Sequence, residues 1–249
     1  MIRLILGCGY LGRRVAKMWL DAGDQVFAVS RSQPDTRSAQ LLELEQAGLK
    51  IVTADITEAE TLQAATAEIP PVHTILFAVG FDRARYANIR DVYVDGLQAV
   101  LGAFENRFQQ FIYISTTGVY GLDCGSEVTE QTPVNPVRPG GIACVEAERL
   151  LESQAVRATV LRLAGIYGPE RVPNLSAIKD RQWDKLNPNG HVNLIHVNDA
   201  AEIVLRVSND PKPHETFLVS DGEPAQRKDF YNFIAEQLGE TIDLSLIHI

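Results

Sequence analysis

The chain has 249 residues, 45% of them hydrophobic, enough for one large core or for one core with a small appended lobe. A formal net charge of -9 and the lack of a strong basic run argue against nucleic acid or an anionic membrane as the main partner, because phosphate surfaces are bound by clustered Lys and Arg. No run of about eighteen apolar residues is present to span a membrane, and Cys8, Cys124 and Cys144 show neither zinc spacing nor an even disulfide framework, which fits a reducing cytoplasm.

The first thirty residues organise the rest. An apolar run, Ile2 to Leu6, meets Gly7-Cys8-Gly9-Tyr10-Leu11-Gly12 and passes into an amphipathic stretch that ends at Gly23, with Leu11, Val15, Trp19 and Ala22 spaced for one helical face. Ile5-Leu6-Gly7-Cys8 has the outline of a lipoprotein cleavage site, but the apolar stretch before it is too short for a signal peptide, so the segment reads as a strand. A second apolar run, Val26 to Val29, ends at Ser30-Arg31. Strand, glycine turn, helix and strand follow in the order of a mononucleotide-binding half.

Within the turn, Gly7 allows a sharp change of direction, Gly9 leaves the backbone open to a pyrophosphate, and Gly12 lets the helix lie close on the strand. Gly7, Cys8, Gly9, Tyr10, Leu11 and Gly12 are therefore expected to cradle the phosphates of a dinucleotide at the positive end of the helix. At the end of the second strand the Ser30 hydroxyl and the Arg31 cation suit a 2′-phosphate, which favours NADP over NAD. The alternative for Arg31 is a solvated surface cation.

Ser32 to Arg37 reads as a loop, and Leu41, Leu42 and Leu44 mark a helix that Gly48 ends. A third strand, Lys50 to Ala54, leads to Asp55-Ile56-Thr57, where Asp55 is a turn residue or an adenine contact and Ile56 lies beside it. Thr57 and Glu60 have capping-box spacing for a helix through Ile69. His73 to Gly80 reads as a buried fourth strand that brings Ala78, Val79 and Gly80 toward the nicotinamide ribose. Arg83, Arg85 and Arg90 read as a solvated stretch before a helix marked by Val94, Leu97, Val100, Leu101 and Phe104.

The fifth strand, Phe111 to Ile114, delivers Ser115-Thr116-Thr117-Gly118-Val119-Tyr120-Gly121 to the carboxyl edge of the sheet, where ligands of open α/β folds bind. A long loop carrying Glu127, Glu130, Pro133 and Pro136 follows. A helix over Gly141 to Ala155, a sixth strand at Ala158 to Leu163 and an exit at Gly165 to Pro169 complete this half. Beyond it, the segment to Gly190, with Pro173 and Trp183, reads as a reduced lobe. Val192 to Val197 and Glu215 to Val219 read as strands, Asp199 as the cap of a helix over Ala200 to Val207, and Phe230, Phe233, Ile234 and Leu238 as a last helix.

The glycine turn, Asp55-Ile56, Ser115 to Gly121, Glu130-x-x-Pro133-x-x-Pro136, Arg162-Leu163-x-x-Ile166-Tyr167-Gly168-Pro169 and Ile195-His196-Val197-Asn198-Asp199 together resemble the extended short-chain dehydrogenase/reductases, in the NAD-dependent epimerase/dehydratase branch. The resemblance covers nearly the whole chain. It implies an α/β fold, a doubly wound parallel sheet of the NAD(P)-binding Rossmann type, with a dinucleotide-binding domain over 1–167 and a reduced C-terminal substrate lobe over 168–249, truncated or replaced at its end. It also implies oxidoreductase or isomerase chemistry on a small polar or nucleotide-linked substrate, and it admits a homodimer.

Two departures from the family pattern stand out. Leu6 replaces a fingerprint glycine, as in the atypical branches. By alignment the family's Tyr-x-x-x-Lys becomes Gly140 and Cys144, so the proton-exchanging phenol and its supporting ammonium are missing, while Thr116 remains at the catalytic Ser/Thr position. A positioned acid or base is typically worth about 10²- to 10⁴-fold in rate. The expected alternative to an enzyme is therefore a cofactor-binding sensor or scaffold without catalysis. Thr116 otherwise serves to satisfy local backbone groups; Cys144 reads as a small buried residue more readily than a nucleophile. The five histidines suggest no metal set, and His196 reads as a packing or capping neighbour.

Overall fold

The computed structural model describes residues 1–121, 125–154, 156–210 and 215–241. The expectations for Cys124, for the helix end at Ala155 and for the tail 243–249 lie outside the described residues. The chain alternates β1 (Ile2–Leu6), α1 (Gly12–Asp21), β2 (Gln25–Ser30), α2 (Ala39–Gln46), β3 (Lys50–Thr53), α3 (Ala59–Thr66) and β4 (Val72–Phe77). A π-helical turn, Asp91–Asp95, then runs into α4 (Gly96–Ala103), followed by β5 (Phe108–Thr116), α5 (Pro139–Ser153) and β6 (Ala158–Leu163). Short elements come next: β7 (Gly165–Tyr167), α6 (Leu175–Lys179), β8 (His191–Val192) and β9 (Leu194–His196). After them come α7 (Val197–Asn209), β10 (Glu215–Val219), β11 (Ala225–Gln226) and α8 (Arg227–Gln237).

Seven strands pair in parallel in the order β10-β6-β5-β4-β1-β2-β3. Helices cover both faces, so the central strands are apolar on both sides instead of alternating. Leu4, Leu6, Phe77, Phe111 and Tyr113 point to one face, where Leu62, Leu97, Val100, Ala147 and Leu151 of α3, α4 and α5 meet them. Ile5, Leu76, Ile112 and Leu161 point to the other, under Val15 and Trp19 of α1 and Ala200 and Val204 of α7. The doubly wound α/β sheet expected from the sequence is thus present. Arg3 is a buried exception in β1, held by Asp24 Oδ2 (2.9 Å), Thr74 Oγ1 (2.6 Å), the Ser208 carbonyl (2.9 Å) and Asn209 Oδ1 (2.8 Å). A buried cation is tolerated only with such a complete set of acceptors.

Several boundaries differ from expectation for identifiable reasons. Ala22 is exposed at the cap of α1, which buries Val15, Ala16 and Trp19 instead. Leu42 is exposed while Leu41 and Leu44 face the core, and the first turn of α2 is capped by Ser38 Oγ accepting from the Leu41 N–H (3.3 Å). Thr57 does not cap α3: its N–H and hydroxyl donate to Asp55 Oδ1 at 3.0 and 2.8 Å, and Glu58 stands at the helix start without a side-chain bond. The buried carboxylate of Asp55 is the stronger acceptor and takes the threonine. That helix also stops at Thr66, short of Ile69.

β4 ends at Phe77, so Ala78, Val79 and Gly80 leave the sheet, with the Ala78 N–H still bonded to the Leu6 carbonyl (2.8 Å). β5 is longer than Phe111 to Ile114 and carries Ser115 and Thr116. The single strand expected over Val192 to Val197 is two pieces in different small sheets, β8 against β11 and β9 against β7. Asp199 lies in the first turn of α7; the cap is His196, whose Nδ1 accepts from the Asn198 N–H (3.4 Å). α8 faces α6 through Tyr231, Ile234 and Ala235, which leaves Phe233 and Leu238 exposed. Trp183 packs into this same small cluster with Ile178 and Leu186.

Candidate active site

β1 lies between β2 and β4, where the strand order reverses, and this is the crevice in which open α/β sheets bind ligands. A cleft of about 1510 Å³ opens there along the carboxyl ends of the strands. Typical small-molecule pockets run to about 1,000 Å³, so this one has room for more than one small molecule. Its wall contains Gly7, Cys8, Gly9, Tyr10 and Leu11 from the glycine turn, Ser30 and Arg31 from β2, Ile56, and Ala78, Val79 and Gly80 after β4. Thr116, Gly140 and Cys144 line its far end. The cleft wall thus gathers the glycine turn, the end of β2, Ile56, the segment after β4, Thr116, Gly140 and Cys144. Gly12 and Asp55 stand behind the wall as supports.

Gly7 has φ +91°, and a Cβ on it would lie 2.5 Å from the Ala78 carbonyl oxygen, so only glycine permits both the turn and the contact with the segment after β4. A Cβ on Gly12 would overlap the Gly7 carbonyl oxygen. Gly9 is the opposite case, since a Cβ there would meet no protein atom within 4 Å. α1 starts beside it with no side-chain cap and no acidic residue in its first turn, so its positive end is free for an anion. Burial pushes the Cys8 thiol up to about 12 against the pull of Arg13, so this cysteine is neutral in the turn.

Tyr10 ties the turn to the chain leaving the sheet: its hydroxyl donates to the Pro169 carbonyl (2.8 Å), and its ring lies between the guanidinium groups of Arg14 and Arg171, at 4.3 and 5.4 Å. Among the described residues, the charged side chains lining the cleft are Arg13, Arg31, Arg83, Arg138 and Arg171 against Asp82, a positive surface inside a chain of net charge -9. Such a field draws in anionic ligands.

At the end of the wall formed by β2, Arg31 is not simply solvated. Its Nη2 lies 3.5 Å from Asp82 Oδ2, its guanidinium lies 5.1 Å from the Tyr86 ring centroid, and its Nη1 is buried with no partner among the described residues. A buried donor without an acceptor is costly, and an anion in the cleft would remove that cost. Asp55 serves the turn: besides Thr57 it accepts from the Tyr86 hydroxyl (2.6 Å) and pairs with Arg85 (3.1 Å). Burial pushes its carboxyl up, but the hydrogen bonds from Tyr86 and Thr57 and the Arg85 charge outweigh burial, so its pKa is lowered. Arg85 is thus part of a buried-carboxylate contact, and Arg90 pairs with Glu146 and Asp95.

At the far end, Thr116 Oγ1 accepts from the Gly118 N–H (3.1 Å), the local backbone role. Gly140 and Cys144 stand one turn apart on α5. A Cβ on Gly140 would make only an ordinary contact, 3.6 Å from Ile89 Cδ1, whereas one on Gly141 would overlap the Gly118 carbonyl. Cys144 is buried, and burial pushes its thiol up to about 11, so the thiol stays protonated near neutrality.

Behind Cys144 lies a network that the sequence reading missed. Glu148 accepts from Ser115 Oγ (2.6 Å) and from Arg162 Nε and Nη2 (3.2 and 2.7 Å), and Arg162 Nη1 donates to the Tyr120 hydroxyl (3.1 Å). The available signal was Arg162 within the otherwise apolar strand Ala158 to Leu163, which demands a buried acid. Burial works against the Arg162 cation, but its bonds to Glu148 and Tyr120 outweigh that and raise its pKa. His196, besides capping α7, packs edge-on against Tyr167 at 5.3 Å. Pro173 and Trp183 are not part of the cleft wall. Among the described residues no group of three His, Cys, Asp or Glu is placed to hold a metal, and no helix is long and apolar enough to cross a membrane.

The family model for the NAD dependent epimerase/dehydratase family matches residues 3–219. Protein YeeZ of Escherichia coli (strain K12) is 28% identical over 239 residues, covering 94% of this chain and 83% of its own length. In fold the chain is similar to the dTDP-glucose 4,6-dehydratase of Bacillus anthracis in complex with NAD. That likeness has a TM-score of 0.80 at 18% identity and covers 97% of this chain and 82% of that one. It is also similar to the Bordetella bronchiseptica enzyme WbmG in complex with NAD and UDP, with a TM-score of 0.78 at 19% identity, covering 97% and 79%. With the match spanning the sheet from β1 to β10, the chain belongs to the NAD-dependent epimerase/dehydratase family.

Proposed function

We propose that the cleft binds a nicotinamide dinucleotide, NADP in preference to NAD, and that the chain acts as an oxidoreductase or epimerase/dehydratase-like isomerase on a small polar or nucleotide-linked substrate. The observation that carries this reading is the open face of Gly9 at the uncapped start of α1, a cradle shaped for a pyrophosphate within a cleft of one dominant charge sign. Gly7 to Gly12 would hold the phosphates, Ser30 and Arg31 the 2′-phosphate, Ile56 the adenosine side, and Ala78 to Gly80 the nicotinamide ribose. Asp55 would shape that side through its turn. The dinucleotide would supply hydride transfer, and Thr116 would hold a substrate oxygen. Residues 1–167 would form the binding domain and 168–249 the substrate lobe. A reducing, cytoplasmic location would suit the free thiols of Cys8 and Cys144.

Cofactor choice gives a direct test. A charge-assisted hydrogen bond is worth roughly 1.5–3 kcal/mol, and about 1.4 kcal/mol is tenfold in affinity. NADPH is expected to bind about tenfold or more tightly than NADH in fluorescence titrations, and Arg31→Ala is expected to remove that preference. Equal affinities in the unmutated protein would overturn the assignment. Turnover is tested with UDP- and dTDP-linked sugars.

A second reading is a sensor or scaffold that binds the cofactor without catalysis, and Gly140 with a neutral, buried Cys144 favours it. It requires a partner protein whose affinity changes with cofactor saturation, because linkage acts in both directions. A partner indifferent to NADPH would remove it.

A further inference from the structure

Gly140 brings no proton donor to the far end of the cleft, and the turn packed beside α5 carries one. Four phenols line the cleft: Tyr10, Tyr86, Tyr93 and Tyr113. Tyr10 donates to the Pro169 carbonyl and Tyr86 to Asp55, while Tyr113 is fully buried and paired with the Cys144 thiol. Tyr93 is half-buried, and its phenol proton has no acceptor among the described residues. The Phe81 backbone N–H lies near enough to its oxygen to lower its pKa, which puts the phenol beside the segment that follows Gly80. Tyr93 packs against the cluster of Val119, Tyr120, Cys144 and Val145, of which Cys144 and Val145 lie on the helix that carries Gly140.

The backbone reinforces this placement. Tyr93 is the middle residue of the π-helical turn Asp91–Asp95, where the Gly96 N–H reaches back to the Asp91 carbonyl. A π turn widens a helix by one residue, and such turns recur at functional sites because they re-aim a side chain. Here the turn packs beside α5 at the entrance to α4.

We propose that Tyr93 is the proton donor of this site, delivering its phenol proton to the oxygen of a carbonyl substrate from the turn before α4 in place of a side chain at position 140. The assignment rests on the dinucleotide reading above. In the reducing direction the phenol O–H bond breaks as the substrate oxygen takes the proton, and the carbonyl carbon gains a hydride from a reduced nicotinamide. Water reprotonates the phenolate. In the oxidising direction the same atoms move in reverse. Burial raises the Tyr93 pKa, Cys144 adds to the effect and the Phe81 N–H opposes it, so the group stays protonated near neutrality as a donor must. The titratable groups that interact with it are Tyr113 on β5 and Cys144 on α5.

The test uses the full chain carrying 3-fluorotyrosine, with the Tyr93 resonance assigned in the ¹⁹F NMR spectrum by its loss in Tyr93→Phe. A donor that faces the nicotinamide must sense its charge. With saturating NADP⁺, whose nicotinamide ring is cationic, the Tyr93 midpoint is expected to fall by about one pH unit or more relative to the complex with NADPH. The Tyr86 resonance, assigned with Tyr86→Phe, is expected to titrate alike in both complexes. If both dinucleotides bind and the Tyr93 midpoint is the same in each, the assignment fails while the dinucleotide reading stands. Failure of either dinucleotide to bind would remove both.

Discussion

Glu148→Ala is expected to destabilise the protein by about 3–5 kcal/mol in chemical denaturation, because it leaves the Arg162 cation buried without its carboxylate. Both side chains are under a tenth exposed, and Glu148 also accepts from Ser115. One substitution thus orphans a guanidinium and a hydroxyl together. The pair fixes the start of the functional loop, since Arg162 on β6 also holds Tyr120, just beyond the Thr117–Val119 turn, while Glu148 holds Ser115 at the end of β5. Glu148→Gln keeps the shape and an acceptor oxygen, and is expected to lose less. A loss under about 1 kcal/mol for Glu148→Ala would mean the pair is solvated like a surface bridge.

The second large effect concerns positions 140 and 144 on α5, which packs beside the turn that carries Tyr93. In a Tyr93→Phe background, Gly140→Tyr with Cys144→Lys is expected to raise turnover of UDP- or dTDP-linked sugars by up to about 10²- to 10⁴-fold, the worth of one positioned acid or base. The two side chains would stand at i and i+4 on α5 and so share a face. Room exists at 140, where an added Cβ makes only an ordinary contact with Ile89. At 144 the Glu148 carboxylate lies close enough to influence the buried thiol, and it would offset the cost of an ammonium there. The ammonium would in turn favour the phenolate form of the phenol introduced at position 140. A triple variant that folds and binds NADPH without any gain would locate the difference from active relatives in the substrate lobe.

How much of this was legible in the sequence depended on the range of the forces involved. The glycine turn, the strands feeding it and the reversal of strand order follow from local pattern, because the apolar runs and the turn chemistry are read from adjacent residues. The residues expected along the cleft, from Gly7 through Arg31 and Gly80 to Thr116, do come together along one edge of the sheet. What local pattern hid was competition between partners distant in sequence. Thr57 had the spacing of a cap yet is claimed by the buried Asp55, and α7 is capped by His196 in place of Asp199. The Ser115, Glu148, Arg162 and Tyr120 network joins residues up to 47 positions apart, and only Arg162 in a buried strand hinted at it. Tyr93 lies just before the helical stripe that begins at Val94, and nothing in the local pattern singled it out, because a π turn has no sequence period of its own.

The central claim is that a dinucleotide lies over Gly9, and calorimetric titration with NADPH tests it most directly when the native chain is compared with Gly9→Asp. The added side chain enters open space, so the fold is expected to melt unchanged, while its Cβ and negative charge occupy the place of the pyrophosphate. The account predicts saturable binding at one site per native chain and its near-complete loss in Gly9→Asp. Equal binding by both proteins, or none by the native chain, would contradict it.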